Sequence, residues 1–103
     1  MYKLCFFVPE DSLETVKEAL FTAGAGRIGD YDNCCWQVLG QGQFRPLEGS
    51  NPHIGSVHKV ERLAEWKVEL VCEDSLISSV VEELKRSHPY EEVAYEVYKL
   101  ADF

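Results

Sequence analysis

The stretch Glu61-Arg62-Leu63-Ala64-Glu65-Trp66-Lys67-Val68-Glu69-Leu70-Val71-Cys72-Glu73 admits two readings, and the choice between them decides the fold. Read as a strand, it turns Trp66, Val68, Leu70 and Cys72 to one side and Glu65, Lys67, Glu69 and Glu73 to the other. Read as a helix, it stacks Glu61, Glu65, Glu69 and Glu73 at i,i+4 spacing, a like-charge column costing roughly 0.2–0.5 kcal/mol per pair. The strand avoids that cost and gathers the apolar residues on one face.

Working outward, Asp74 or Ser75 has the chemistry of a helix cap, and Leu76, Ile77, Val80, Val81 and Leu84 follow at helical spacing. Lys85, Arg86 and His88 fall at the negative end of that helix, and Pro89 prevents its continuation. A last strand is predicted from about Val93 to Leu100, with Val93, Tyr95 and Val97 on one face. The first half repeats the plan. Leu4, Phe6 and Val8 alternate along a strand ending at Pro9, while Cys5 and Phe7 make its other face apolar too. Asp11 reads as an N-cap with Glu14 three residues on, and Leu13, Val16, Leu20 and Ala23 give a helical stripe from about Ser12 to Ala23. After the glycine-rich run Gly24 to Gly29, Cys34, Trp36 and Val38 alternate as a second strand. The order βαββαβ predicts an α+β, ferredoxin-like fold in which an antiparallel sheet carries two helices on one face. Residues 41–59 hold three glycines, two prolines and two histidines with little periodicity. They read either as a long functional excursion or as a hairpin extension with Phe44 packed on the sheet.

A chain of 103 residues predicts a single domain, 1–103, around one core. Its formal charge of -8 argues against nucleic acid or an anionic membrane as a partner. No apolar stretch approaches the roughly 20 residues that span a bilayer, and Met1 leads into no basic, cleavable leader. The expectation is a cytoplasmic protein. Cys5, Cys34, Cys35 and Cys72 contain no C-x-x-C pair and read as buried, reduced thiols.

Gly24-x-Gly26-x-x-Gly29 matches the dinucleotide pattern literally, but its glycines follow a helix and lead into a strand, the reverse of the order that aims helix amides at a pyrophosphate. What remains is a turn whose amides, with Arg27, could meet an anion or a partner backbone. His53, His58 and His88 show no H-x-x-x-H or H-E-x-x-H spacing, Ser75, Ser78 and Ser79 sit where capping accounts for them, and no G-x-S-x-G elbow exists. The stripe Glu61, Glu65, Glu69 reads as a solvated strand face.

The most specific segment is His88-Pro89-Tyr90-Glu91-Glu92-Val93-Ala94-Tyr95-Glu96-Val97-Tyr98. With the run Gly24 to Trp36 and the later Gly40-Gln41-Gly42-Gln43-Phe44-Arg45-Pro46, it closely resembles the domain inserted into bacterial members of the NGG-interacting-factor-three family, here free-standing. The similarity covers essentially the whole length. The His-Pro-Tyr-Glu turn also looks like that of CutA proteins. The resemblance implies a ferredoxin-like fold related to the CutA and PII regulators, typically trimers. It does not bring the family's two-metal site, whose ligands lie on a core domain that this chain is too short to contain.

Three function classes follow: a regulatory or ligand-binding module sensing a metal ion or metabolite at subunit clefts, a small enzyme, or a structural partner docking onto a separately encoded core domain. The first is favoured, as a homotrimer that hydrolyses neither phosphoesters nor peptides by itself. The candidate ligand-binding residues are Arg27, Gly29 and Tyr31 in the glycine-rich turn, and His88, Tyr90 and Glu91 after the second helix. His88, Glu91 and Glu92 are the candidate ligands for a divalent metal. His88 is expected to be protonated readily, at the negative end of its helix.

Overall fold

The alternation that opens the chain places Leu4, Phe6 and Val8 on one side of strand β1 (Tyr2–Pro9), and all three are fully buried. A computed structural model describes residues 1–103. A short 3-10 turn (Glu10–Ser12) leads into helix α1 (Leu13–Thr22), followed by strand β2 (Trp36–Phe44), strand β3 (Glu61–Cys72), helix α2 (Ile77–Ser87) and strand β4 (Tyr95–Lys99). The four strands form one sheet in the order β2-β3-β1-β4, with every neighbouring pair antiparallel. This is the predicted α+β ferredoxin-like architecture.

Register explains the core. Leu4 lies opposite Leu70, Phe6 opposite Val68 and Val8 opposite Trp66, so the apolar sides of β1 and β3 form one continuous face. Leu13, Val16 and Leu20 from α1 and Val80 and Leu84 from α2 close over it. Each fully buried aliphatic or aromatic side chain contributes on the order of 1.5–3 kcal/mol against exposure, which is ample reason for the helices to share this side.

Several local expectations are corrected. Asp11 does not cap α1: the N-cap position is Ser12, without a side-chain hydrogen bond, because the 3-10 turn occupies the entry. Cys34 lies before β2, and Cys34 and Cys35 are half-buried rather than buried strand residues. The last strand begins at Tyr95 and leaves Val93 in the approach, still packed on the core. Residues 41–44 continue β2, pairing with Glu61–Ala64, so the hairpin reading holds there and the excursion proper is 45–60. No helix is long and apolar enough to cross a membrane.

The face of the sheet away from the helices carries Lys3, Cys5 and Phe7 of β1, Glu65, Lys67 and Glu69 of β3, and Trp36 and Val38 of β2. Cys5 is only 2% exposed and lies between Glu69 of β3 and Glu96 of β4 in the register. Burial pushes its thiol up, as it does for Cys72, so both stay protonated. Lys3 bridges to Glu69 at 3.1 Å. Trp36, Val38 and Tyr98 stay well exposed on this side.

Candidate functional site

The end of α2 positions the first element of the site. Pro89 cannot continue the helix, and His88 adopts an extended conformation that turns its ring back under β1. The ring is buried, with Nε2 2.7 Å from the Phe7 carbonyl oxygen and Nδ1 3.1 Å from the Tyr90 backbone nitrogen. A carbonyl only accepts and an amide only donates, so the ring is the neutral tautomer with its proton on Nε2. Burial lowers the His88 pKa, the bond to Phe7 works the other way, and His53 adds to the lowering. The expected readiness to protonate is therefore reversed: desolvation outweighs the helix dipole.

With both ring nitrogens engaged, His88 has no lone pair to offer a metal. Glu91 is spent differently, its Oε1 accepting the Asn51 N–H at 2.8 Å, which ties the 45–60 excursion to the turn. No group of three or more His, Cys, Asp or Glu side chains is placed to hold a metal ion. His88, Glu91 and Glu92 thus share a turn without forming a ligand set.

What the turn does build is one wall of a cavity of about 410 Å³. Phe7 of β1, Glu65 of β3, Phe44 at the end of β2, Pro46 and His53 of the excursion, and Tyr90 of the turn all line it, with Glu91, Glu92 and Arg45 also contributing. Tyr90 is the hub. Its ring centroid lies 6.2 Å from that of Phe44, 6.1 Å from His53 and 4.9 Å from His88. Two of the three histidines therefore meet at one tyrosine, whereas His58 lies out on the excursion and contacts Glu48 at 3.0 Å.

Glu65, read from sequence as part of a solvated face, is half-buried here. Gly42 lies two strand positions from the residue paired with it, and a Cβ on Gly42 would come within 1.7 Å of the Glu65 carboxylate. The glycine makes room for the carboxylate to lie across β2. Tyr90 Oη donates to Glu65 Oε2 over a long 3.4 Å, the one hydrogen bond that the carboxylate receives. Burial raises the Glu65 pKa against that bond, and burial together with the Glu65 charge pushes Tyr90 up to about 12.

The other candidate residues lie elsewhere. Gly26 N–H donates to the Val71 carbonyl, six residues along β3 from Glu65 and so roughly 20 Å away at about 3.3 Å per residue. Arg27, Gly29 and Tyr31 follow at that far end, all exposed, with Tyr31 at 75%. Tyr31 exchanges backbone hydrogen bonds with Ile28, which shapes the turn and gathers no side chains. Sequence reasoning missed Phe7, Phe44, His53 and Glu65 as site residues. The one available signal was Gly40 and Gly42 facing an acidic strand.

No protein-family model matches the chain. It is 45% identical over 95% of its length to a Mycobacterium tuberculosis protein named GTP cyclohydrolase 1 type 2 homolog, covering 26% of that protein. A Halalkalibacterium halodurans protein of the same name is 44% identical over 99% of the chain and 27% of its own length. Among solved structures, a Bacillus cereus protein related to NIF3 superposes with a TM-score of 0.84 and 40% identity, over 98% of this chain and 26% of that one. The chain is related to one segment of NIF3-type proteins. It spans about a quarter of their length. CutA1 from Pyrococcus horikoshii superposes with a TM-score of 0.72 at 20% identity, over 100% of this chain and 86% of that one, which shows a shared fold. Both likenesses that the sequence suggested are borne out at that level.

Proposed function

We propose that the chain is a binding module whose ligand is a small organic molecule held in the cavity between Tyr90, the 45–60 excursion and the outer face of β1 and β3. The observation that carries this reading is that four separate chain segments supply the walls, whose surface is mostly apolar although polar and charged side chains such as His53, Glu65 and Tyr90 also line it. Such a composition is that of small-molecule sites generally. The activity named for the longer relatives is not part of this reading, since the chain spans 26% of their length. Nor is a metal at His88, whose ring is committed to the backbone.

The same reading includes a homotrimer. Trp36, Val38 and Tyr98 leave the side away from the helices partly apolar and uncovered, as an interface requires, while Lys67 and Glu69 keep it polar in part. The short coverage of the relatives favours a second reading in which a polypeptide equivalent to the rest of those proteins covers the face instead.

Fragment screening by amide chemical shifts tests the cavity. Hits should cluster on Phe7, Phe44 and Tyr90, and a screen whose hits fall elsewhere or nowhere overturns the reading. Light scattering that shows a monomer at micromolar concentration would remove the trimer.

A further inference from the structure

The cavity's chemistry narrows what it can hold, and this step rests on the binding reading above. Glu65 is a half-buried carboxylate that receives one hydrogen bond, at 3.4 Å, although an ionised carboxylate can accept about four. No lysine or arginine bridges to it, because the ion pairs of the molecule are all made elsewhere. No buried side-chain oxygen is left without a partner, so the remaining lone pairs of Glu65 are open to the cavity and solvent, and a ligand that displaces the solvent there has to bring donors of its own. Phe7, Phe44 and Tyr90 line the same cavity, and a cation seated over the face of any of these rings meets the negative part of its quadrupole.

The other charges of the lining point the same way. Glu91 and Glu92 both line the cavity, against the single guanidinium of Arg45, which is exposed. The chain as a whole carries -8. An anionic ligand would meet three carboxylates for one cation, and a neutral apolar ligand would desolvate Glu65 further without pairing it. A protonated amine on a small apolar or aromatic body satisfies both features: its N–H groups donate to Glu65 while its body packs on the rings.

We infer that the cavity is a site for organic ammonium compounds, with Glu65 as the counter-ion and Phe7, Phe44 and Tyr90 as the aromatic walls.

The test compares three probes of one shape, namely benzylamine, benzyl alcohol and benzoate, titrated into the full chain at neutral pH and followed by amide chemical shifts. Benzylamine is expected to shift Phe7, Phe44 and Tyr90 with at least tenfold tighter binding than either other probe, and Glu65→Gln to remove about tenfold of that preference. Benzyl alcohol or benzoate binding at the same residues as tightly as benzylamine overturns the ammonium assignment and leaves the cavity as a binding site. Silence from all three at millimolar concentration overturns both. The wild-type comparison decides the matter even where Glu65→Gln perturbs the fold, and Phe44→Leu, which removes a wall and keeps the carboxylate, should weaken benzylamine as well.

Discussion

The two ends of β3 look alike in sequence, each flanked by a short run of glycines or polar residues after a helix, and they differ in what those residues are for. At the Val71 end, Gly24, Gly26 and Gly29 all have positive φ, and their neighbours spend backbone hydrogen bonds on one another while Arg27 and Tyr31 point into solvent. At the Glu65 end, one buried imidazole joins β1 to the turn, and side chains from four segments converge. A glycine pattern there describes how the chain bends. Convergence of side chains distant in sequence is what makes the other end the candidate site.

The sharpest way to break that contrast is at His88. His88→Ala strands the Phe7 carbonyl and the Tyr90 amide without partners and empties a buried volume, so a loss of about 3 kcal/mol is expected in denaturant unfolding. A loss below about 1 kcal/mol would show that the ring is not a structural tie. Next comes Gly26→Ala. A Cβ there meets the Cys34 carbonyl at 2.7 Å and the Phe21 ring at 2.8 Å, at a φ of +76, so about 2 kcal/mol should be lost, with the cavity unaltered by fragment shifts. If Gly26→Ala abolished fragment binding with the fold intact, the two ends would be coupled.

A pH titration gives a smaller effect of fixed sign. Burial holds the folded His88 pKa below 6.5, so between the two values the unfolded chain binds the extra proton. Stability is therefore fully present above about pH 6.5 and falls as pH drops toward the folded value, by up to about 1.4 kcal/mol per pH unit. Glu65 has the opposite sign, since its raised pKa favours the protonated folded form, so the difference between wild type and His88→Gln isolates the histidine. A His88→Gln profile parallel to wild type between pH 6.5 and 5 would refute the buried neutral imidazole. Smallest of all, Arg27→Ala and Tyr31→Ala should each change stability by less than about 0.5 kcal/mol and leave benzylamine binding untouched. A weakened titration in either variant would return the glycine-rich turn to the site.

Much of the fold was legible because it rests on period. Leu4, Phe6 and Val8, and Leu13, Val16 and Leu20, face the core as their spacing requires. The run 40–43, Gly-Gln-Gly-Gln, carries no strand preference of its own and becomes strand through its partners in β3, which no local pattern announces. The site was half legible. Tyr90 and Glu91 follow a helix stop that names its own position, whereas Phe7, Phe44, His53 and Glu65 come together only through register and the fold of the excursion. Reading His88 as protonated failed because a helix end predicts a dipole and says nothing about the strand that buries it.

Glu61, Arg62, Leu63 and Ala64 pair with β2 alone, since β1 joins β3 only from Glu65 onward. The excursion that roofs the cavity is therefore carried on a two-stranded ribbon projecting past the four-stranded sheet. Opening that ribbon breaks a few hydrogen bonds and exposes little of the core, so it occurs at far lower free energy than global unfolding. Amides of residues 41–44 and 61–64 that are bonded within the ribbon should exchange with solvent by this local route, orders of magnitude faster than those of Phe6 and Val68. If the proposed cavity takes a ligand, its entry and residence time would follow the fraying rate of the ribbon, with the rest of the sheet standing as a fixed frame.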